Sequence, residues 1–482
     1  MAKKKKSKDD SEELSADDLG VTPKQSQPSE VEDKKGSEKS QKKQEKEAPP
    51  QAPIIKKERP LPTESDFIQS ETNVGMVGHV DHGKTTLVKA LSGMWTERYA
   101  DEINRGITIK LGYAETEMVQ CPKCNKIYTM NVANSLRQSK KQEKGTCPED
   151  GEKLKFKRRI SFVDAPGHEI LMATMLSGAS LMDGAILLVS ANESCPQPQT
   201  REHLAALGIA KIENIIIVQN KVDAVGKQRA FEHYKQIKAF VKGTIAEKAP
   251  IIPVSAVFNA NVDLVSEKIE EIIPSPELDE DSDFLFNIAR SFDVNKPGSE
   301  IQDLRGGVVG GSIVSGHISV GEQVEIRPGL KGKDSKYRPV ITTIRSIFEG
   351  SHSLSSARPG GLIAVGNDLD PAMTRTDQLI GNILGRPETL PPVLYSVDIE
   401  VHLLDKVLGA EDELAVEPLK KGEVLMVVVS TMTSAGVLEK FSKADIVTLS
   451  LKRPICAVKG SITAISRRIN GRFRLIGYGY LQ

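Results

Sequence analysis

A chain of 482 residues is too long for one hydrophobic core of ordinary size, so several domains are expected. Lys+Arg and Asp+Glu both total 65, so net charge exerts no overall pull toward nucleic acid and any basic binding face must be local. Five cysteines do not make a disulfide framework at this length, and no uninterrupted apolar segment approaches the ~20 residues of a membrane span; a soluble, cytoplasmic protein in a reducing setting is expected.

Residues 1 to about 69 are rich in Lys, Glu, Ser, Gln and Pro and nearly devoid of aromatic and β-branched residues. Such a segment cannot bury enough apolar area to offset its ordering entropy, and it is expected to be a disordered charged tail. The lysine run Lys3–Lys6 is cancelled locally by Asp9, Asp10, Glu12 and Glu13. From Asn73 the character changes. Val74–Gly78 reads as a short buried strand and Thr85–Ser92 as the helix that follows it. Further apolar runs at 160–163, 184–189, 214–219 and 251–254 alternate with polar stretches long enough to be helices, which predicts an α/β domain with a mostly parallel sheet and crossover helices over residues 70–276.

Gly78-His79-Val80-Asp81-His82-Gly83-Lys84-Thr85 has the spacing G-x-x-x-x-G-K-[ST], set between a predicted strand and a predicted helix as a P-loop requires. Glycines let backbone N–H groups close around phosphates, Lys84 counters their charge, and the Thr85 hydroxyl is a magnesium ligand. Asp81, His82, Gly83, Lys84, Thr85 and Thr86 are therefore the expected phosphate-side contacts. Asp164-Ala165-Pro166-Gly167 follows the strand at 160–163, where the carboxylate can reach the magnesium shell and the Gly167 amide can face a γ-phosphate. Asn220-Lys221-Val222-Asp223 follows the next strand but one. Asp223 can accept from guanine N1 and N2, a donor pattern adenine lacks, and Ser255-Ala256-Val257 brings backbone amides near guanine O6. Four such signals, each at a strand's C-terminal end, predict a P-loop GTPase that uses GTP/GDP and magnesium.

Arg105-Gly106-Ile107-Thr108-Ile109 lies where GTPases carry a loop ordered by the γ-phosphate, with Thr108 a candidate second magnesium ligand. His168 can orient the water for in-line attack, which makes it a catalytic candidate beside Lys84 and Asp164; a buried structural histidine is the other reading. Asp81 and the Gly106 carbonyl are candidates for a further cation, and Asp81 serves equally well as a loop-stabilising acceptor. An insertion at 121–150 carries Cys121-Pro122-Lys123-Cys124 and, past a hairpin-like polar stretch, Cys147-Pro148-Glu149-Asp150. Two C-x-x-C knuckles would bind zinc; with Asp150 in the fourth place, either three thiolates and a carboxylate or water hold the ion, or the knuckle has lost it. Cys195 and Cys456 read as ordinary apolar-site cysteines.

Beyond the acidic stretch Glu277–Asp283 the pattern turns to short strands punctuated by Gly and Pro, with a break at Leu390-Pro391-Pro392. Two small β-barrels are expected, over 284–390 and 393–482.

The P-loop, the Asp164–His168 motif and two β domains resemble the translational GTPases. Residues 105–112 (RGITIKLG), the cysteine insertion, 168–176 (HEILMATML), 192–200 (NESCPQPQT), 291–298 (SFDVNKPG), 326–329 (IRPG) and 466–479 (SRRINGRFRLIGYG) resemble the gamma subunit of archaeal and eukaryotic translation initiation factor 2. That resemblance implies a GTP-dependent carrier of initiator methionyl-tRNA, in a heterotrimer with alpha and beta subunits, that delivers it to the small ribosomal subunit. Tyr113 is then a candidate to stack on the terminal adenosine, with packing as its other reading. Lys452, Arg453, Arg467, Arg468, Arg472 and Arg474 are candidates for RNA phosphates. A selenocysteine-specific or general elongation factor, and a scaffold that holds GTP without cleaving it, are the alternatives.

Overall fold

The computed structural model describes residues 67–96, 110–138, 143–167, 172–295, 298, 300, 304–407, 414–443 and 445–482. Residues 1–66 of the expected tail lie outside the described residues, as do Gly106, Thr108 and His168. The expected end of that tail at residue 69 needs correction, because Phe67 and Gln69 are built into the fold. Phe67 stacks on His352 with centroids 4.0 Å apart, and Gln69 donates to the carbonyls of Arg358 and Gly360, both at 2.6 Å. Composition hides these contacts because their partners lie far along the chain.

The first domain holds one seven-stranded sheet in the order β3-β2-β4-β1-β5-β6-β7. Its strands are β1 (Thr72–Gly78), β2 (Gly112–Gln120), β3 (Ile127–Thr129), β4 (Lys155–Asp164), β5 (Gly184–Ser190), β6 (Ile215–Asn220) and β7 (Ile251–Pro253). β4, β1, β5, β6 and β7 run parallel, and every residue of β1 and β5 is buried, as expected of strands covered by helices on both faces. The helices are α1 (Lys84–Ser92), α2 (Met130–Gln138), α3 (Met172–Ala179), α4 (Pro198–Ile209), α5 (Lys227–Val241) and α6 (Val262–Ile272).

Two antiparallel strands extend the sheet where sequence alone indicated none. β2 pairs with β4, and β3 with β2. The stretch between Cys124 and Cys147 is not a hairpin: β3 leads directly into α2, whose start is fixed by the Val132 N–H donating to Thr129 Oγ1 at 3.3 Å. Thr129 Oγ1 donates to Leu91 O at 2.7 Å and Asn131 Nδ2 to Ala90 O at 2.8 Å, so the insertion rests on the last turn of α1.

The second domain comprises β8 (Leu285–Phe292), β9 (Val308–Ser315), β10 (Ile318–Ser319), β11 (Gln323–Lys331), β12 (Tyr337–Glu349), β13 (His352–Leu354), β14 (Ser356–Ala357), β15 (Ile363–Asn367), the short helix α7 (Pro371–Thr374) and β16 (Ile383–Gly385). The run β11-β16-β8-β9-β15-β12 closes on itself through β11–β12 pairing around Phe286, Ile288, Val324 and Ile347. The third domain, β17 (Val393–Leu403), β18 (Val424–Val429), β19 (Met432–Phe441), β20 (Ile446–Cys456), β21 (Ile462–Ile469) and β22 (Arg472–Leu481), is a closed barrel in the order β17-β20-β19-β18-β21-β22 around Ile399, Leu425, Leu449 and Ile465. Closure pairs both edges of each six-strand run.

Arg453, Arg467 and Arg474, read as RNA contacts, are held by other elements of the protein. Arg453 Nη2 donates to Ile380 O of the second domain at 2.6 Å, Arg467 pairs with Glu423, and Arg474 Nη1 lies 3.3 Å from Glu202 Oε1 on α4. Lys452, Arg468 and Arg472 are exposed.

Glu202 is 1% exposed and its second oxygen has no hydrogen-bond partner among the described residues; burial pushes the carboxyl up to about 7 while Arg474 pulls it back. Its folded value exceeds the ordinary 4.5, so the stability it contributes is complete below pH 4.5 and is lost as pH rises through 7. Replacing Arg474 by Met is expected to cost ~1–3 kcal/mol at neutral pH, with the carboxyl escaping as the neutral acid. Glu202→Gln should flatten the stability profile between pH 4.5 and 7. Urea unfolding across that range reads both.

Candidate nucleotide site and cysteine cluster

β1 stands between β4 and β5, so the loops at the C-terminal ends of β1, β4, β6 and β7 converge on one edge of the sheet. The loop after β1 turns through Asp81 (φ 61°) and Gly83 (φ 88°), left-handed positions, before α1 begins at Lys84. A Cβ on Gly83 would also stand 2.4 Å from Asn220 Nδ2, so glycine is required there twice over.

Lys84 Nζ donates to Gly78 O at 3.0 Å and His79 O at 2.9 Å, which folds the ammonium back over the loop. Burial lowers it to about 8, with Asp164 and Asp81 acting in the opposite sense. Asp164 Oδ2 accepts from Thr85 Oγ1 at 2.7 Å and from Thr96 Oγ1 at 2.6 Å. Two hydroxyls and a buried carboxylate thus meet at the start of α1, a hard-oxygen set that suits magnesium. Gly167 packs so tightly over the loop that a Cβ would meet Lys84 Nζ at 2.5 Å and Gly78 O at 2.9 Å. Thr86 follows half-buried on α1.

On the base side, Asn220 joins two loops. Its Nδ2 donates to His82 O at 2.9 Å and its Oδ1 accepts the Ala256 N–H at 3.1 Å. The Ala256 amide expected to face guanine O6 is therefore engaged by Asn220, while Val257 is exposed and Ser255 buried. Lys221 is left-handed (φ 59°), and Asp223 sits exposed on the single turn Val222–Ala224.

Histidines supply neutral supports around the loop. His82 is buried, which lowers it to about 3, and its Nδ1–H, the tautomer the acceptor requires, donates to Leu188 O at 2.9 Å. His203 on α4 is likewise lowered to about 3 by burial, and its Nδ1 accepts the Gly78 N–H at 2.9 Å. Neither His203 nor Thr96 was identified from sequence. His203 has no motif spacing to the loop, and Thr96 follows a glycine-terminated helix with nothing to aim it at Asp164.

In the insertion, Cys121, Cys124, Cys147 and Asp150 present ligand atoms that all lie within 4.8 Å of one another. Cys124 Sγ is 3.7 Å from Cys147 Sγ, and Cys121 Sγ is 3.5 and 3.4 Å from the Asp150 oxygens. Tetrahedral zinc at its usual bond lengths requires S···S near ~3.8 Å and S···O near ~3.6 Å. The four groups are spaced as a tetrahedral metal ion would require, with Asp150 in the fourth place.

Tyr113, on β2, is half-buried against the core and also lines a cleft of about 830 Å³ between the first and second domains. Leu111 and Gly112 flank it, and Arg290, Phe292, Gly310 and Gly311 face it from the second domain.

The loop after β1, the carboxylate after β4 and the Asn220 junction, on a sheet followed by two closed barrels, define a GTPase of the translational class. The elongation factor Tu GTP-binding domain family matches residues 69–275, and the family described as initiation factor eIF2 gamma, C terminal, matches residues 395–481. The chain is 53% identical over 417 residues to translation initiation factor 2 subunit gamma of Methanocaldococcus jannaschii, covering 86% of this chain and 98% of that protein. It is 49% identical over 428 residues to that subunit of Archaeoglobus fulgidus, covering 88% and 98%. The chain belongs to the translation initiation factor 2 gamma-subunit family.

Among solved structures, a bacterial selenocysteine-specific elongation factor EF-Sec aligns with TM-score 0.63 at 22% identity, over 86% of this chain and 58% of that one. Elongation factor SelB of Methanococcus maripaludis, bound to the GTP analogue GPPNHP, aligns with TM-score 0.61 at 22% identity, over 86% and 80%. These share the fold. The matched C-terminal domain and the gamma-subunit identities favour the initiation-factor reading over the selenocysteine alternative. No described helix is long and apolar enough to cross a membrane.

Proposed function

We propose that this protein, with GTP bound, carries initiator methionyl-tRNA to the small ribosomal subunit and releases it when GTP is hydrolysed to GDP at start-site selection. It does so in the cytoplasm as the gamma member of a heterotrimer with alpha and beta subunits. The observation that carries the reading is the cleft lined by Tyr113 and Arg290: it opens between the GTPase domain and the second domain, beside the segment that follows Arg105–Ile109, and suits an aminoacylated acceptor end. The chain divides into a GTP-binding domain over 70–276 and barrels over 284–390 and 393–482, of which the first two supply the walls of the cleft. Tyr113 is the residue we assign to the terminal adenosine.

In the nucleotide site, Asp81, His82, Gly83, Lys84, Thr85 and Thr86 surround the phosphates. Asn220, Lys221, Asp223, Ser255, Ala256 and Val257 form the base side. Gly167 stands at the γ-phosphate and His168 orients the attacking water; Lys84 offsets charge that spreads over the transferred group. Thr85 and Thr108 would hold magnesium, with Asp164 in reach of its water shell, and the ion would supply positive charge against the phosphates. Asp81 and the Gly106 carbonyl are the places for a further cation. Cys121, Cys124, Cys147 and Asp150 would hold zinc, in a structural role.

The test is binding of charged initiator against charged elongator methionyl-tRNA, with GTP analogue or GDP, to the chain with and without an alpha subunit. Preference for the initiator tRNA in the GTP-analogue state is expected. Equal binding of both tRNAs would overturn the initiator assignment, and no binding would overturn the carrier role.

A further inference from the structure

The seam between the first two domains contains an ion cluster that the nucleotide site does not use. Asp377, just past α7, pairs with Lys110 Nζ through Oδ2. Its Oδ1 accepts from Arg290 Nε at 3.0 Å and from the Ser291 N–H at 2.9 Å. Arg290 closes the circuit by donating from Nη1 to Leu111 O at 3.3 Å. One carboxylate thus joins a lysine of the first domain to an arginine of the second, and that arginine returns to the backbone of the first.

Three features separate this cluster from ordinary surface pairing. The Asp377 and Arg290 side chains are only 10% and 8% exposed, so their charges are little screened. Burial would raise the Asp377 carboxyl, yet Lys110 and Arg290 hold it below the usual carboxylate range. Thr376 (φ 52°) and Asp377 (φ 62°) are consecutive non-glycine residues in the left-handed region, an unfavourable backbone for L residues. The turn is kept there by the Ser291 N–H and by the Leu379 N–H donating to Ser291 Oγ at 3.1 Å. The strain points the carboxylate across the seam.

The position of the cluster gives its consequence. Lys110 and Leu111 immediately follow the Arg105–Ile109 motif in sequence, and Leu111 and Arg290 both line the 830 Å³ cleft. We propose that Asp377 is a positioning residue for this cleft: it clamps Lys110 and Arg290 together, so the segment following the nucleotide-responsive motif and the second domain form a single acceptor-end site. The proposal rests on the tRNA-carrier reading above. Neither Asp377 nor Lys110 needs to touch RNA for this.

The experiment uses the full chain with alpha and beta subunits and compares wild type, Asp377→Asn, Asp377→Glu and Lys110→Met. Asp377→Asn keeps an acceptor for Ser291 and loses the charge. Lys110→Met removes the lysine leg of the cluster and leaves the second-domain turn with Arg290 and the Ser291 N–H. Two quantities are read for each: the ratio of initiator-tRNA affinities in GTP analogue and GDP, and the distance between spin labels at Lys235 and Ser353 in each nucleotide state. Asp377→Asn and Lys110→Met are both expected to lower the affinity ratio about tenfold and broaden the analogue-state distance, with nucleotide affinity within about twofold of wild type and partial recovery in Asp377→Glu. An unchanged ratio and distance in Asp377→Asn would overturn the proposal. So would a loss confined to Asp377→Asn with Lys110→Met like wild type, since Asp377 would then serve only its own turn. If wild type binds no tRNA, the carrier reading fails separately, and the label distances still decide whether the cluster joins the domains.

Discussion

Replacing Lys84 by alanine is expected to weaken GTP and GDP binding together by about 10²- to 10⁴-fold. The ammonium is fully buried behind the phosphate loop, and two hydrogen bonds from it to phosphate oxygens at ~1.5–3 kcal/mol each account for that range. The same burial makes a second, opposite prediction for the nucleotide-free protein. Lys84 titrates near 8 against an ordinary 10.5, so the unfolded chain binds that proton more tightly. The resulting cost to stability is complete below pH 8 and fades as pH rises toward 10.5. Lys84→Ala should therefore remove this pH dependence from the nucleotide-free protein while it abolishes tight nucleotide binding. Between pH 8 and 9 the wild-type protein should take up a proton on binding GTP, because phosphate charge restores the ammonium. Calorimetry in two buffers of different ionisation enthalpy measures that uptake. Binding by the alanine variant within about fivefold of wild type would remove Lys84 from the phosphate site.

What sequence made legible here follows from where the chemistry sits. Gly78–Thr85, Asp164 and Asn220 each stand at the C-terminal end of a strand whose last six residues are all buried, and such stretches are apolar runs easily seen in one dimension. β2 escaped because its buried positions alternate with half-buried polar ones such as Glu115 and Glu117, so the run GYAETEMVQ has too little apolar content to stand out. Gln69, His203 and Asp377 escaped for a different reason. Their partners, Gly360, Gly78 and Lys110, are 291, 125 and 267 positions away, and nothing local distinguishes them from surface residues. The basic residues near the C-terminus show the converse error. Arg453, Arg467 and Arg474 look available for RNA until their partners in other strands and domains are seen.

The cysteine cluster carries the second large effect. Purified under reducing conditions with zinc supplied, the protein is expected to retain one zinc per chain, and Cys147→Ser to retain almost none. Cys121 and Cys147 are wholly buried, so without an ion the insertion holds polar sulfur groups in a core otherwise made of Tyr128, Val132, Ala133 and Leu154. The loss should lower the unfolding temperature, because the insertion loses the tie that holds its two knuckles together. The insertion's polar contacts with α1, those of Thr129 and Asn131 at Leu91, Ala90 and Lys89, lie at the end of the helix remote from Lys84. GTP affinity is therefore expected to stay within about threefold of wild type.

Asp150→Cys distinguishes a working fourth ligand from a vestigial one. A thiolate is a softer zinc ligand than a carboxylate, so this variant should surrender its ion to a chelator more slowly than wild type, and Asp150→Ala more quickly. If all three proteins lose zinc at one rate, Asp150 is a bystander and water is the fourth ligand. If the wild-type chain carries no zinc at all, the 3.4–3.7 Å spacing of these groups records packing in an insertion that has lost its metal.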